Sequence, residues 1–125
     1  ATASLDAKPH MVPIYFKYIK GCVCIIFVSS ESKSVKNLRS NPNSCVGINV
    51  GEKKGEIKCV LIYGKGEIRE DIDCLKKAHL DILYPKYNRS KKKVEELIEK
   101  LVISGAMKKR ALVVLKPTKT IAWKI

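Results

Sequence analysis

The chain of 125 residues has no glutamine and only 6% aromatic residues. It also lacks any apolar run near the roughly 18 residues that a membrane-spanning helix needs. The longest candidate, Cys22 to Val28, is the length of a strand. No signal-peptide pattern is visible. Equally missing are a G-x-S-x-G elbow, a P-loop, an H-E-x-x-H pair and a dinucleotide G-x-G-x-x-G, which removes the common signatures of hydrolases, nucleotide-triphosphate enzymes, zinc proteases and Rossmann dehydrogenases. Gly64-Lys65-Gly66 sits inside a strand pattern and reads as bend geometry. Acidic residues are scarce as well: 12 Asp and Glu face 25 Lys and Arg, for a net charge of +13. Only four of the basic residues are Arg. Lys-rich, Gln-free surfaces occur in heat-adapted proteins, so solubility and stability account for part of the charge, and a polyanionic partner is the competing explanation.

What is present describes a folded domain. With 46% hydrophobic and 30% charged residues, the chain has the composition of one ordinary core, and a single domain over residues 1–125 is expected. It opens at Ala1, without Met, in what reads as a strand, so residues upstream are expected to be missing. Five cysteines, Cys22, Cys24, Cys45, Cys59 and Cys74, make an odd count, and four lie in strand-like runs. No second Cys or His pair stands at zinc-ligand spacing, and His10 and His79 stand alone. Free, mostly buried thiols in a reducing cytoplasm, with no metal site, are expected.

Residues 9–18 alternate, with His10, Val12, Ile14, Phe16 and Tyr18 on one face, which predicts one strand. Lys20-Gly21 makes a turn into a second strand over 22–28. Ser30 or Ser32 caps a short helix ended by Asn41-Pro42-Asn43. Strands over 44–50 and 56–70 follow, the second interrupted by Gly64 and Gly66, a bulge or bend suited to a small barrel. Asp71 or Asp73 caps a helix stopped by Pro85, and Ser90 caps another, with Val94, Leu97, Ile98, Leu101 and Val102 on one apolar face. Strands over 110–116 and 120–125 close the chain, with a bend at Pro117. The order predicts a mainly β fold, a β-barrel with helices at its margin.

The stretch Ser29-Ser30-Glu31-Ser32-Lys33-Ser34-Val35-Lys36 places hydroxyls and two lysines at a helix start. Free N–H groups and a partial positive charge gather there, so it is a candidate phosphate cradle, against the plainer possibility of a serine-capped surface helix. Paired carboxylates such as Glu95 and Glu96 lie on a polar helix face and read as surface.

Three motifs in order carry a resemblance. Asp6-Ala7-Lys8-Pro9-His10 with Val12-Pro13-Ile14-Tyr15-Phe16 is similar to a D-G-x-P-h turn followed by h-h-P-h-x-F. Ser32-Lys33-Ser34-Val35-Lys36-Asn37-Leu38, then Asn41-Pro42, is similar to S-x-K-x-x-N-L and N-P. Pro117 followed by Trp123 is similar to a closing Pro and Trp. Together they resemble the FMN-binding split-barrel proteins related to pyridoxamine 5′-phosphate oxidase. The resemblance implies a Greek-key split barrel and a homodimer with FMN at the interface, deazaflavin or haem being the alternative cofactors. It also implies an oxidoreductase acting on a small molecule. Val12, Pro13, Ile14 and Tyr15 would lie along the flavin ring. Ser32, Lys33 and Lys36 would face its phosphate, with Ser29 and Ser30 close by. Trp123 would approach from the partner subunit or the barrel rim. No catalytic residue is implied.

The departures are specific. Ser34 stands where the family usually has Lys or Arg, which moves the phosphate role to Lys33 or Lys36. Ala7 replaces Gly and Lys8 replaces Arg. The Arg and His that the vitamin-making oxidases use near the C-terminus have no counterpart after Trp123, which argues against that oxidase itself. The alternative function is a basic β-barrel module for nucleic acid, resting on the net charge, on Lys86, Arg89, Lys91, Lys92 and Lys93, and on Lys108, Lys109 and Arg110. Tyr84 and Tyr87 would be its stacking residues.

Overall fold

The computed structural model describes residues 1–124 as one seven-stranded antiparallel sheet with three α-helices. The strands are β1 (Thr2–Ala3), β2 (Pro9–His10), β3 (Tyr15–Ile19), β4 (Cys22–Phe27), β5 (Asn43–Val50), β6 (Lys58–Arg69) and β7 (Ala111–Lys124). They lie in the order β2-β1-β5-β6-β7-β4-β3. The helices are α1 (Lys33–Ser40), α2 (Ile72–Leu83) and α3 (Lys91–Ile103). The mainly β architecture is as expected, but the sheet is curled and open, with β2 and β3 as its edges.

The curl follows from which residues share a core. On one face Val23, Ile25 and Phe27 of β4 meet Val46 of β5 and Ile62 of β6, with Ile14 and Phe16 packed against them. Residues from both halves of an open sheet can touch only if the sheet bends towards itself, and Val35 and Leu38 of α1 fill the space inside the bend. The intervening residues of the central strands, Ile26 of β4 and Leu112 of β7, point to the other face. There they pack against Leu75 and Ile82 of α2, Val94 and Ile98 of α3, and Met107. Strand β4 and the first part of β7, Ala111–Leu115, are thus covered on both faces, which is why they read as continuous apolar runs.

The glycine bend is a β-bulge. Tyr63 pairs with Lys119 but Gly64 pairs with Pro117, leaving Thr118 as the extra residue. A Cβ on Gly64 would stand 2.3 Å from the Lys116 carbonyl oxygen, so only glycine lets β6 and β7 approach here. Pro117, which has no N–H to give a ladder, occupies the irregular position. The β3–β4 turn uses Lys20 and Gly21, both with positive φ (50° and 81°), as a tight hairpin of right-handed twist requires.

Several boundaries differ from expectation. Residues 9–18 do not form one strand: His10 ends β2, Tyr15 begins β3, and residues 11–14 between them join no ladder. The two closing strands are a single one, because the bulge absorbs Pro117 without ending the ladder. The predicted last residue, Ile125, lies outside the described residues. On α3 only Val94 and Ile98 are buried, while Leu97 and Val102 face solvent at about two-fifths exposure. The five thiols are free but half-buried rather than buried, four on strands and Cys74 on α2. Ser32, Asp71 and Ser90 supply the helix caps, accepting hydrogen bonds from the amides of Val35, Cys74 and Lys93.

Candidate functional site

Where β3 and β4 stop pairing, at Tyr15 opposite Ile26, the chain opens a groove of about 470 Å³. Residues 12–15 form one wall and residues 26–28 the other. Val12, Pro13 and Tyr15 are exposed along it and Ile14 is half-buried. Pro13 contributes no N–H, and its neighbours 11, 12 and 14 are outside any ladder. The result is an apolar slot with a backbone wall not consumed by sheet pairing, a shape that suits a flat ligand.

One end of the slot leads to α1. After Val28 the chain turns through Ser29–Ser32. The Ser29 hydroxyl accepts from the Glu31 amide at 3.1 Å, the Ser30 amide donates to the Lys109 carbonyl at 2.6 Å, and the Ser32 hydroxyl caps the helix. Ser34 and Leu38 line a small cavity of about 30 Å³ together with Val12 and Ile14, which fixes the first turn of α1 beside the slot. Ser34 is buried, whereas Lys33 and Lys36 face solvent. The basic side chains of this turn are therefore the ones on either side of Ser34. Lys36 is 3.6 Å from Glu31, an exposed pair that a stronger anion can displace. Lys33 makes no ion pair among the described residues. It lies near enough to Asp6 to help hold that exposed carboxyl below its usual range, an effect due first to the Ser4 hydroxyl.

The other motif residues work as packing. Asn37 is buried and its side-chain amide donates to the Thr2 hydroxyl at 3.1 Å, tying α1 to β1. Leu38 lies over Gly66, where a Cβ would approach it to 3.0 Å. The Pro42 carbonyl accepts from the Gly66 amide at 2.8 Å. Trp123 is 43% exposed near the end of β7 and pairs with Cys59. Leu112, which pairs with Ile26 at the slot, is some 36 Å from it along the strand at about 3.3 Å per residue. One chain thus gathers the slot and the helix start but does not bring Trp123 to them along its own strand.

The far side of the slot leads to a second cavity of about 460 Å³ that the motifs gave no sign of. It shares Tyr15, Ile26 and Val28 with the slot and reaches His79 and Arg110. His79 is fully buried on α2, its Nδ1 2.6 Å from the Leu75 carbonyl oxygen and its Nε2 3.1 Å from Arg110 Nη1. A carbonyl can only accept, so Nδ1 carries the proton and Nε2 accepts from the guanidinium. Burial, with the neighbouring guanidinium, pushes the imidazole pKa down and outweighs the Leu75 bond, so His79 is neutral at pH 7. The available signal was its place in the apolar stripe Leu75, His79, Ile82, four and three residues apart, which marks a buried histidine.

Residues 84–90 brace this region. The Tyr87 hydroxyl donates to the Phe16 carbonyl and accepts from the Phe16 amide, both at 3.1 Å, and Lys86 donates to the same carbonyl at 2.8 Å. Together they cover part of the open edge of β3. Tyr87 also packs edge-on against Tyr15, ring centroids 4.8 Å apart. Both tyrosines expected to stack nucleic-acid bases are thus engaged within the fold, Tyr87 through these contacts and Tyr84 by packing against the helical cluster.

No protein-family model and no curated protein matches the sequence. Solved structures do match, and the fold they define is the split barrel. A conserved hypothetical protein from Mycobacterium tuberculosis superposes with a TM-score of 0.80 at 20% identity, over 98% of this chain and 73% of that one. An F420 reductase gives 0.67 at 12% identity, over 96% and 84%. A pyridoxamine 5′-phosphate oxidase-related, FMN-binding protein from Nostoc punctiforme gives 0.59 at 11%, over 98% and 71%. This chain has the fold of these split-barrel proteins.

Proposed function

We propose that the protein is a small flavoprotein of the pyridoxamine 5′-phosphate oxidase-like kind that binds FMN and acts as an oxidoreductase on a small molecule. The observation that carries this reading is the apolar slot walled by residues 12–15, of which 12–14 join no ladder, beside the loop that leads from Val28 into the α1 start. The residues fit the cofactor: Val12, Pro13, Ile14 and Tyr15 offer the ring a flat, largely apolar wall, and Ser29, Ser30, Ser32, Lys33 and Lys36 ring the helix start where a phosphate would sit. When bound, the flavin supplies hydride or electron transfer; the chain's own part is to orient it, exclude water and balance its phosphate charge. The F420 and FMN proteins of the same fold make deazaflavin the nearest alternative cofactor, with haem next.

A homodimer completes the site. Val12, Tyr15 and Val28 around the slot, and Ile121 and Trp123 at the distant end of β7, are exposed apolar residues on one small protein. A two-fold partner brings the second group to the first and puts Trp123 of one subunit at the slot of the other. Five free thiols suit a reducing compartment, the cytoplasm in this reading, and among the described residues no helix is long and apolar enough to cross a membrane.

FMN titration followed by absorbance and fluorescence tests the reading, with F420 and haem as competitors. The basic surface provides a separate check. Lys91, Lys92 and Lys93 are exposed at the start of α3, where positive charge opposes the helix dipole, and Lys91 approaches Glu95 only to 4.0 Å. Neutralising all three to Ala should abolish the weak DNA binding expected at low salt from the net charge, leave FMN affinity unchanged and alter unfolding free energy by less than about 0.5 kcal/mol. Fluorescence anisotropy with a labelled oligonucleotide, across a salt series, reads the first effect. Nanomolar binding that survives about 0.15 M salt would instead favour a nucleic-acid module.

A further inference from the structure

The cavity behind Tyr15 contains a cation with no anion to balance it. Arg110 is half-buried just ahead of β7, makes no ion pair among the described residues, and meets the neutral His79 ring through one N–H. No Asp or Glu lines the cavity. Burying a guanidinium without a counter-charge is costly, and burial pushes its pKa down from the usual arginine range. His79 cannot neutralise it. Its Nδ1 proton is committed to Leu75, so its free lone pair points at Arg110 and fixes the guanidinium in place. A guanidinium has five N–H donors in a planar fork, and His79 takes one.

The remaining wall is apolar and aromatic: Leu83, Val94 and Leu97 from the two helices, and the Tyr15–Tyr87 pair, with Asn88 as a further polar group. A volume of about 460 Å³ is that of a small-molecule site. Among the described residues, Arg110 is the one cation lining the cavity; Lys86, next in sequence to the lining residue Tyr87, is occupied by the Phe16 carbonyl and lies 3.3 Å from the Phe16 ring centroid. One available positive charge in apolar walls suits a monoanion with an apolar body and disfavours a phosphate dianion.

From this we infer that the cavity binds a small carboxylate, its carboxylate on the Arg110 fork and its apolar body between the tyrosine pair and the α2–α3 wall. His79 is a positioning residue. The cavity and the slot share Tyr15, Ile26 and Val28, so a carboxylate held here lies next to the place proposed for the flavin ring. In that respect the inference rests on the flavin reading and names its substrate class: a carboxylic acid whose apolar part is oxidised or reduced.

Benzoate is a suitable probe, with benzamide as the uncharged isostere and inorganic phosphate as the dianion. Calorimetric titration of the folded protein, with and without FMN, should show benzoate binding at least about tenfold more tightly than either control, because benzamide offers the guanidinium no charge and phosphate brings a second charge and no apolar body into largely apolar walls. Arg110→Gln should remove that preference, and Arg110→Lys, which keeps the charge but not the fork, should reduce it without abolishing it. In wild-type protein the Arg110 Nε–H resonance should shift on benzoate addition, a readout independent of any variant's folding. Equal binding of benzoate and benzamide, an unshifted Arg110 resonance at saturation, or no saturation at tens of millimolar would overturn the assignment. If benzoate binds but FMN does not, the anion site stands and the flavin reading falls. If FMN binds and benzoate does not, the reverse holds.

Discussion

Replacing Lys33 by Ala should weaken FMN binding by about tenfold to a hundredfold while leaving riboflavin affinity within about twofold. The factor corresponds to one charge-assisted contact of about 1.5–3 kcal/mol. Lys33 is exposed in the first turn of α1 and carries no competing ion pair among the described residues, so its ammonium is available to an incoming dianion. Lys36 must first leave Glu31, and Lys36→Ala should therefore have a smaller effect. Riboflavin is the internal control, because it presents the same ring to residues 12–15 but no phosphate to the helix. Parallel fluorescence-quenching titrations of both ligands into both proteins measure the difference. Equal losses for FMN and riboflavin would place Lys33 away from the phosphate.

Leu75→Ala should lower the unfolding free energy by about 2–5 kcal/mol, the range for removing a buried leucine and leaving a cavity. Leu75 is fully buried between the sheet and the helical layer, in the cluster that holds Ile26 and Leu112 of the central strands against α2 and α3. The shared wall of the slot and the second cavity, Ile26, belongs to this cluster, so the variant should loosen ligand sites as well as the fold. Leu97→Ala on α3, at 41% exposure, should cost under about 1 kcal/mol. Urea unfolding monitored by circular dichroism checks both. Equal costs would mean that the α3 face packs as the full apolar stripe suggests and that Leu97 is not solvent-facing.

Local signals carried much of the architecture. Ser90 is a cap named outright from the side-chain type that precedes an apolar stripe, Ser32 and Asp71 are each one of two candidates so named, beside Ser30 and Asp73, and the Lys20-Gly21 turn follows from its place between two apolar runs. Gly64 and Gly66 marked a bulge or bend, and the structure puts the bulge at Gly64, where β7 approaches too closely for a Cβ. Signals failed where distant pairing decides. Alternation over residues 9–18 is the same whether or not a partner strand is present, and the structure gives β3 a partner only from Tyr15 onward. Pro117 looks like a strand end until the bulge opposite Gly64 is known. The α3 stripe indicates which face is apolar but not how much of it the neighbouring elements cover. Within the site, the S-x-K stretch could be read as a helix start with basic side chains, whereas the packing roles of Asn37 and Leu38 needed Thr2 and Gly66 from distant strands. The His79–Arg110 pair is 31 residues apart in sequence and has no local motif at all.

In the proposed function the slot beside residues 12–15 binds a flavin in an assembled dimer. The most direct measurement is titration of FMN into the purified protein, with absorbance and light scattering recorded on the same sample. Saturable binding approaching one FMN per chain of 14.0 kDa, on a particle of twice that mass, is expected. A folded, stable 14.0 kDa monomer that leaves FMN free at high micromolar concentration would contradict it.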